Sequence, residues 1–278
     1  MRRIERQKFV NTISSLCKEI NYSLPLSIIK ALIKARENEK EKRPREVLSI
    51  LIENARIAKE RNIPICQDTG SVIAFFEIGR GLEIDFDINS SVQEGVGRGY
   101  KEGYLRASMV SSPFERKNTG DNTPAIVHIH LIDGEDLKIT LFAKGAGSEN
   151  QGGLMMLKPS DREDIEDIVV DYVKKKAPYS CPPIIVGIGI GGDMEFACLL
   201  SKKAILRDIG RFNENLAVAQ MEKNLLLRIN NLEIGPGGLG GKTTAISVNI
   251  ELAPCHIGSL PLAINIGCYA TRYKEVVL

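Results

Sequence analysis

A chain of 278 residues is long enough for one large domain or two modest ones, and 43% hydrophobic with 26% charged residues is a globular balance. A formal net charge of +2 and only 5% aromatic residues, with no tryptophan, argue against nucleic acid and anionic membranes as partners. No apolar run is long enough to cross a bilayer and no signal-peptide pattern follows the basic start, so we expect a cytoplasmic protein.

The start of the chain, to about residue 60, has apolar residues at helical spacing. Three amphipathic helices are predicted there, and the charged run ENEKEKRP between the second and the third is predicted to be a solvated loop. Cys17 lies on the apolar face of the first helix, so we expect it in the core.

Strands appear from about residue 61 onward. SVIAFFEIG and LEIDFDI are strand-like, and SSVQEGVGRGYKEGYLRAS is predicted to be a helix that starts at its serines. AIVHIHLIDGEDLKITLFAKGAG is predicted to be a β-hairpin that turns at DGED. His128 and His130 share one face of its first strand, as a packed or exposed pair rather than as metal ligands.

The second half of the chain mixes three predicted helices with three predicted strands, and no internal repeat is visible in the sequence. The fold class is therefore α+β, with N-terminal helices followed by a mixed, largely antiparallel sheet with packed helices. We expect one catalytic domain over residues 1–278, with a helical part at about 1–60 and an α+β part at about 61–278.

The run GIGIGG supports an alternative of another class. Gly187, Gly189 and Gly192 fit the dinucleotide pattern G-x-G-x-x-G, and Asp208 follows near the spacing of a ribose-binding acid. However, the segment before Asp208 leaves little room for the second strand that such a site needs. The glycines can equally allow another segment to approach the backbone closely. An NAD-dependent oxidoreductase through Gly187–Gly192 stays open.

Two further glycine-rich runs carry weaker signals. GPGGLGGKTT has Pro236 where a phosphate-binding P-loop requires glycine, so a turn into the next strand is the better interpretation. In AKGAGSEN, Gly145 and Gly147 follow a strand, and amides at such a position can bind an anion or simply form a turn.

Six cysteines are present without a CxxC pair, and we expect reduced thiols in a cytosolic protein. Three of them stand at loops or at the ends of elements: Cys66 before Gln-Asp, Cys181 before Pro-Pro, and Cys268 after a strand. Thiolates suit an iron–sulfur cluster, copper(I) or zinc. Spacing alone does not show whether cysteines so far apart in sequence come together.

Seven motifs in a fixed order resemble one enzyme family. They are CQDTG, GYLRAS, NTGDNTPA, KGAGSEN, CPPIIVGIGIGG, GPGGLGGKTT and HIGSLPLAINIGCYATR. The chain resembles the α subunit of class I, iron–sulfur-dependent fumarate hydratases and of the related L-tartrate dehydratases. The resemblance covers roughly residues 50 to 273, which correspond to the N-terminal domain of single-chain members.

The resemblance implies a [4Fe–4S] cluster held by Cys66, Cys181 and Cys268. Three protein ligands leave one iron open to the substrate, just as a catalytic zinc with three protein ligands keeps its fourth position open. That iron acts as a Lewis acid on the substrate hydroxyl, while a base removes a proton from the neighbouring carbon. The implied reaction is the reversible hydration of a C4 dicarboxylate, fumarate to malate, without net redox change.

The same motifs imply roles for other residues. The catalytic residues are Asp68, which orients or relays protons at the hydroxyl, and His256, which lies in the pocket. Arg106 grips a substrate carboxylate, a task that suits the two-donor fork of a guanidinium. The implied substrate-binding residues are Gln67, Arg106, Gly145 and Gly147.

The resemblance also implies partners. A separate β subunit supplies the base and further carboxylate-binding groups, and an α2β2 assembly fits the family. Fumarate is the preferred substrate because it is the commoner one, and L-tartrate is the alternative substrate. A subunit that only scaffolds its partner, without catalysis, is an alternative of another class.

The chain departs from the family pattern in two places. Cys255 stands beside His256, and Asp193 stands where a small hydroxyl residue is expected. Neither position is one of the three implied cluster ligands.

Overall fold

A computed structural model of the protein describes residues 2–278. The helices are α1 (Arg6–Tyr22), α2 (Leu26–Asn38), α3 (Lys42–Arg61), α4 (Ile88–Glu102), α5 (Ala146–Glu149), α6 (Ile165–Lys176), α7 (Met194–Ile205) and α8 (Leu216–Asn230). The strands are β1 (Arg2–Arg3), β2 (Ser71–Gly79), β3 (Leu82–Glu83), β4 (Ile126–Ile132), β5 (Leu137–Lys144), β6 (Gly153–Leu157), β7 (Ile184–Gly192), β8 (Ala245–Cys255), β9 (Leu260–Gly267) and β10 (Arg272–Val277). None of these helices is long and apolar enough to cross a membrane.

The chain divides into two compact units, each built from separate segments. Unit 1 contains the segment that ends at Pro25, Asn54–Ala146 and Arg272–Leu278, and unit 2 contains Leu26–Glu53 and Gly147–Thr271. Each unit has a four-stranded sheet in which two of the three neighbouring strand pairs are antiparallel. The predicted α+β class with a largely antiparallel sheet is confirmed, while the single catalytic domain stays a prediction.

In unit 1 the strand order is β10-β5-β2-β4, and α1 and α4 pack on one face of the sheet. Two glycines of α4 make this packing close, because a side chain on Gly95 would collide with Ile13 and one on Gly99 with Cys17. The glycines in the predicted helix therefore serve helix–helix contact. Cys17 is fully buried there, as predicted, and burial raises the pKa of its thiol.

The predicted β-hairpin is wrong, because β4 and β5 do not pair. β2 lies between them, parallel to β4 and antiparallel to β5. The DGED connection crosses the end of β2, where Gly81 donates its amide to the Gly134 carbonyl at 2.9 Å. A side chain on Gly79 would collide with Gly134, so glycine at that position lets the chain cross.

In unit 2 the strand order is β6-β9-β7-β8, and the central strand β7 separates two packing faces. The apolar core on one face brings together β7 with α6 and α8. On the other face, a side chain on Gly187 would collide with the Ser201 carbonyl, and one on Gly189 with the Ala197 carbonyl. These glycines therefore allow α7 to lie directly on the strand. The packing favours close approach of another segment, rather than dinucleotide binding, as the reason for the GIGIGG run.

A largely buried ion-pair network joins the segment after α7 to α8 and β8. The Arg207 guanidinium contacts Glu222 at 2.7 Å and Glu251 at 2.9 Å, and it donates to the Ile250 carbonyl at 2.7 Å. The Glu222 carboxylate is 2% exposed and also accepts from the Ile250 amide at 2.8 Å. Every charge in this network has a partner, as a buried ion pair requires.

The two sheets share one topology although the sequence shows no repeat. In each, a central strand leads through a helical crossover to a parallel neighbour, and the chain then crosses back to an antiparallel neighbour. Strands β2, β4 and β5 correspond in this way to β7, β8 and β9. The next strand belongs to the sheet of the other unit, because β6 pairs with β9 and β10 pairs with β5.

Three further boundaries differ from the sequence prediction. The charged run is mostly helical, since only residues 39–41 separate α2 from α3, and Glu39 is buried with its carboxylate accepting from the Lys242 amide at 2.9 Å. Of LEIDFDI, only Leu82–Glu83 is strand. Helix α4 is capped by Asp87 rather than by its serines.

We predict that Gly189→Ala lowers the free energy of unfolding by about 1–3 kcal/mol, because the added methyl collides with backbone that cannot move aside. Gly147→Ala is the matched control, since nothing lies within 4 Å of a Cβ there. Denaturant unfolding of both variants measures the difference. Equal stability of the two would show that α7 does not rest on β7.

Candidate functional site

The CQDTG motif forms the loop that joins α3 to β2 in unit 1. Just before the half-buried Cys66, the Ile65 amide donates to the Asn21 carbonyl at 2.9 Å, and the Ile65 carbonyl accepts from the Asn54 side chain at 2.9 Å. The backbone on this side of the cysteine is therefore fixed to two helices.

The far side of the same loop is held by two buried side chains. The Tyr100 hydroxyl donates to the Thr69 carbonyl at 2.8 Å, and the Asn122 side-chain amide donates to the Gly70 carbonyl at 3.0 Å. Burial raises the pKa of Tyr100 above its ordinary value, so its hydroxyl remains a donor. The NTGDNTPA motif thus contributes an anchor for the CQDTG loop.

Asp68 ties this loop to the KGAG segment. Its carboxylate accepts from the Gly70 amide at 3.0 Å and from the Ala146 amide at 2.7 Å. Its carbonyl accepts from Nη2 of Arg272 at 2.7 Å. Backbone amides therefore fix the orientation of the carboxylate.

The predicted substrate-binding residues of unit 1 border this loop. The Thr69 hydroxyl donates to the Arg106 carbonyl at 2.5 Å, and the side chains of Arg106 and Gln67 are exposed. Gly145 follows β5 beside the Asp68 carboxylate, and Gly147 is exposed in α5. Unit 1 thus brings Gln67, Asp68, Arg106 and Gly145 to adjoining loops.

In unit 2 the loops of the other two predicted ligands meet. The Tyr269 amide, one residue after Cys268, donates to the Cys181 carbonyl at 3.4 Å. The Thr271 hydroxyl donates to the Cys268 carbonyl at 2.7 Å and closes that turn. Cys181 has φ of 49°, so its backbone is left-handed, and its side chain is exposed. The structure therefore brings together the backbones of two cysteine loops that are 87 positions apart in the sequence.

Cys66 and Cys181 occupy corresponding positions in the two units. Each stands a few residues before the central strand of its sheet, β2 or β7. Among residues 2–278, no three His, Cys, Asp or Glu side chains are grouped as they are around a metal ion. A backbone contact joins the loops of Cys181 and Cys268 within unit 2, and the set of three cysteine ligands stays a prediction.

His256 lies at the other end of the unit 2 sheet from Cys181 and Cys268. β9 ends beside the start of β7, whereas β8 ends beside the last residue of β7. The nine residues of β7 span roughly 26 Å at about 3.3 Å per residue. His256 is exposed, and its Nδ1 accepts from the Gly258 amide at 3.1 Å. Its catalytic role stays a prediction.

The two departures from the family pattern have local structural roles. Asp193 caps α7, since its carboxylate accepts from the Phe196 amide at 2.8 Å. The Cys255 thiol donates to the Ser259 carbonyl at 3.3 Å in the turn after β8. Both residues lie at the end of the sheet away from the cysteine loops.

Comparison with known proteins assigns the chain to a family. The profile of the family described as Fumarate hydratase (Fumerase) matches residues 10–277. The chain belongs to the fumarate hydratase family. The resemblance inferred from the seven motifs is confirmed, and this fumarate hydratase family member is a hydro-lyase.

Two relatives of this fumarate hydratase family member carry a more specific name. The chain is 40% identical over 274 residues, 95% of each chain, to the putative L(+)-tartrate dehydratase subunit alpha of Methanocaldococcus jannaschii. It is 30% identical over 270 residues, 95% of this chain and 89% of the relative, to the L(+)-tartrate dehydratase subunit alpha of Escherichia coli strain K12.

Sequence reasoning missed the residues that hold the loops. Asn122 and Arg272 lie within the quoted motifs but were given no role, and Tyr100 lies just before one of them. For Asn122 and Arg272, the sequence signal that could have found them is their position inside a motif. Their hydrogen bonds to the CQDTG loop cross 31 to 204 positions of sequence, which no local pattern shows.

We predict that Asn122→Ala lowers the free energy of unfolding by about 2–3 kcal/mol. The change removes the donor to Gly70 and the acceptor of the Ser108 amide, which the Asn122 side chain holds at 2.7 Å. Alanine also tolerates the φ of 65° at this position less well. Thermal unfolding measures the loss.

The exposed Asn89 of α4 provides the control, and Asn89→Ala should change stability by less than about 0.5 kcal/mol. If Asn122→Ala were as mild as this control, Asn122 would not be an anchor of the loop.

Proposed function

We propose that the chain is the α subunit of a [4Fe–4S] hydro-lyase that reversibly dehydrates a hydroxylated C4 dicarboxylate. Cys66, Cys181 and Cys268 would hold the cluster. The observation that carries the proposal is the contact between the Cys181 and Cys268 loops, in a chain of the fumarate hydratase family.

The donor set fits such a cluster. Cysteine thiolates are the usual ligands of iron–sulfur clusters, and these three lie on loops that backbone hydrogen bonds fix in place. When bound, the cluster supplies a Lewis-acidic iron with a position open to the substrate. Side chains and backbone amides would bind the substrate and move its protons.

The exposed residues beside the CQDTG loop would bind the substrate. Arg106 presents a guanidinium fork that matches a carboxylate, and Gln67 can donate to an oxygen of the substrate. Gly145 and Gly147, where the chain leaves β5, would contact the substrate as well. Together they would hold a dicarboxylate in one orientation.

Asp68 would hold the proton of the substrate hydroxyl. Each of its oxygens accepts one backbone amide and keeps a second lone pair for a further donor. Its fixed orientation suits a group that must meet the substrate at one atom. We propose His256, which is exposed in the turn after β8, as the second catalytic residue.

A separate β subunit would supply the base and further carboxylate-binding groups, in an α2β2 assembly. The support is the subunit name that both relatives carry. We propose a cytoplasmic location, which protects an oxygen-sensitive open iron.

Two substrates are compatible with this site. Fumarate and malate follow from the family description, and the names of the relatives favour L-tartrate. Both reactions expel a hydroxyl next to a carboxylate, so the residues named above serve either one. L-Tartrate is accordingly the second candidate.

The cluster is tested by single substitutions in anaerobically purified protein. We predict that Cys66→Ser, Cys181→Ser and Cys268→Ser each lose most of the absorbance near about 400 nm and most of the bound iron. Cys255→Ser, which changes a thiol in a different turn, should keep both. Full iron content in all three variants would refute the ligand assignment, and full activity of Cys66→Ser would favour a scaffold.

Activity is tested on the chain with and without its β subunit, with malate and L-tartrate compared side by side. We predict negligible turnover by the chain alone, activity once the β subunit is added, and loss of that activity in air with recovery on adding iron and reductant. Turnover by the chain alone would contradict the divided site. The larger kcat/KM identifies the substrate.

A further inference from the structure

Strand β4 forms an unprotected edge of the unit 1 sheet. It is the last strand in the order β10-β5-β2-β4, and within the described residues 2–278 only β2 pairs with it. Its seven residues, IVHIHLI, pair with β2 without a register shift, and they include no proline and no Lys, Arg, Asp or Glu. Prolines, bulges and charged side chains ordinarily keep an edge strand from pairing with another chain. The opposite edge, β10, carries such charges at Arg272, Lys274 and Glu275.

The outer edge of β4 presents backbone groups at every second residue. The Arg80 amide, just after β2, donates to the Ile132 carbonyl at 2.9 Å, so the backbone of Ile132 faces β2. The direction of the backbone groups alternates along a strand, and Val127, Ile129 and Leu131 therefore direct their amides and carbonyls away from β2. These are the groups that a further strand would bind.

The side chains at the same positions extend the apolar layer of the sheet beyond its core. In the pairing with β2, Ile129 lies beside Phe76, a core residue on the face that carries α1 and α4. Leu131 lies beside Ile78 of the same core. Ile129 is nevertheless 51% exposed, and Leu131 is 59% exposed. Apolar side chains are thus left uncovered along an edge whose backbone can accept another strand.

The order of residues in β4 makes the strand complementary to itself. With Ile129 as the centre, it reads apolar, apolar, His, apolar, His, apolar, apolar in both directions. An antiparallel copy centred there pairs Ile129 with itself, Val127 with Leu131, and His128 with His130. The outward-facing residues then form the hydrogen-bonded pairs of an antiparallel ladder, with about six backbone hydrogen bonds in all.

We propose that two copies of this chain associate through β4, as antiparallel edge strands that join their two four-stranded unit 1 sheets into one. An isologous contact of this kind needs only one surface patch, which both copies supply. The first charged residue after β4, Asp133, falls opposite Ala125 of the second copy, so no like charges meet. The contact does not depend on the proposed cluster or reaction, and it would join the α subunits of the proposed α2β2 assembly.

Sedimentation velocity of the full chain measures the association. The wild type should sediment as a dimer, and Ile129→Lys should raise its dissociation constant at least about tenfold, because two ammonium groups would meet at the centre of the pair. Ile50→Lys makes the same change at a side chain that is 66% exposed on α3, and it should leave the dimer intact. A monomeric wild type, or an Ile129→Lys protein as dimeric as the control, overturns the inference.

Hydrogen exchange of the wild type tests the pairing without a substitution, and it decides the question if Ile129→Lys does not fold. The outward amides of Val127, Ile129 and Leu131 would be bonded only in the dimer, whereas those of His128 and His130 face β2 in either state. Dilution that separates the dimer should therefore speed exchange at the first three by at least about tenfold and leave the other two slow. Unchanged exchange at the first three overturns the inference.

Two further results separate this contact from others. If the outward amides become protected only when the β subunit is added, β4 binds that subunit and the inference is overturned. Iron uptake by Ile129→Lys should equal that of the wild type, since the association does not involve the cysteines. A wild-type dimer that takes up no iron would overturn the proposed function and leave this inference standing.

Discussion

Hydrogen bonds to the backbone, from other backbone amides and from side chains, hold the three segments that carry Cys66, Cys181 and Cys268. In unit 2 the Tyr269 amide reaches the Cys181 carbonyl, and in unit 1 buried side chains grip the carbonyls that follow Cys66. Of the three side chains, Cys181 is exposed, and Cys66 and Cys268 are half-buried. The buried Cys17, packed inside a helix pair, shows the other use of the same residue.

The duplicated topology explains why the motifs lie far apart in sequence. Each central strand, β2 or β7, is preceded by a cysteine loop, and each antiparallel neighbour, β5 or β9, is followed by the segment through which the chain leaves for the next unit. KGAGSEN and CYATR are those two leaving segments. The three proposed cluster ligands therefore lie before a central strand or after its antiparallel neighbour, whereas the proposed residues Arg106 and His256 lie on other connections.

The sequence patterns correctly predicted those elements and burial states that depend on residues close together in the sequence. Helix α1 follows from apolar residues at helical spacing, which also place Cys17 in the core, and the buried strand β7 follows from a short apolar run that ends in glycines. The predicted β4–β5 hairpin is wrong because the residues DGED favour a turn whether or not a third strand lies between β4 and β5. Glycine at Gly79 decides that question, through a contact with a turn more than 50 positions away. The motifs indicated the proposed site residues, but the burial of Arg272 and the hydrogen bonds of Asn122 depend on contacts with distant segments, which no local pattern shows.

The central claim is that three cysteines leave one iron of the cluster open to the substrate. Mössbauer spectroscopy of the iron-57-loaded protein with its β subunit, recorded before and after adding malate or L-tartrate, tests it most directly. The account predicts that the signal of one iron changes on adding substrate while the others stay as they were. A spectrum in which all irons are equivalent and unaffected by either substrate would contradict it.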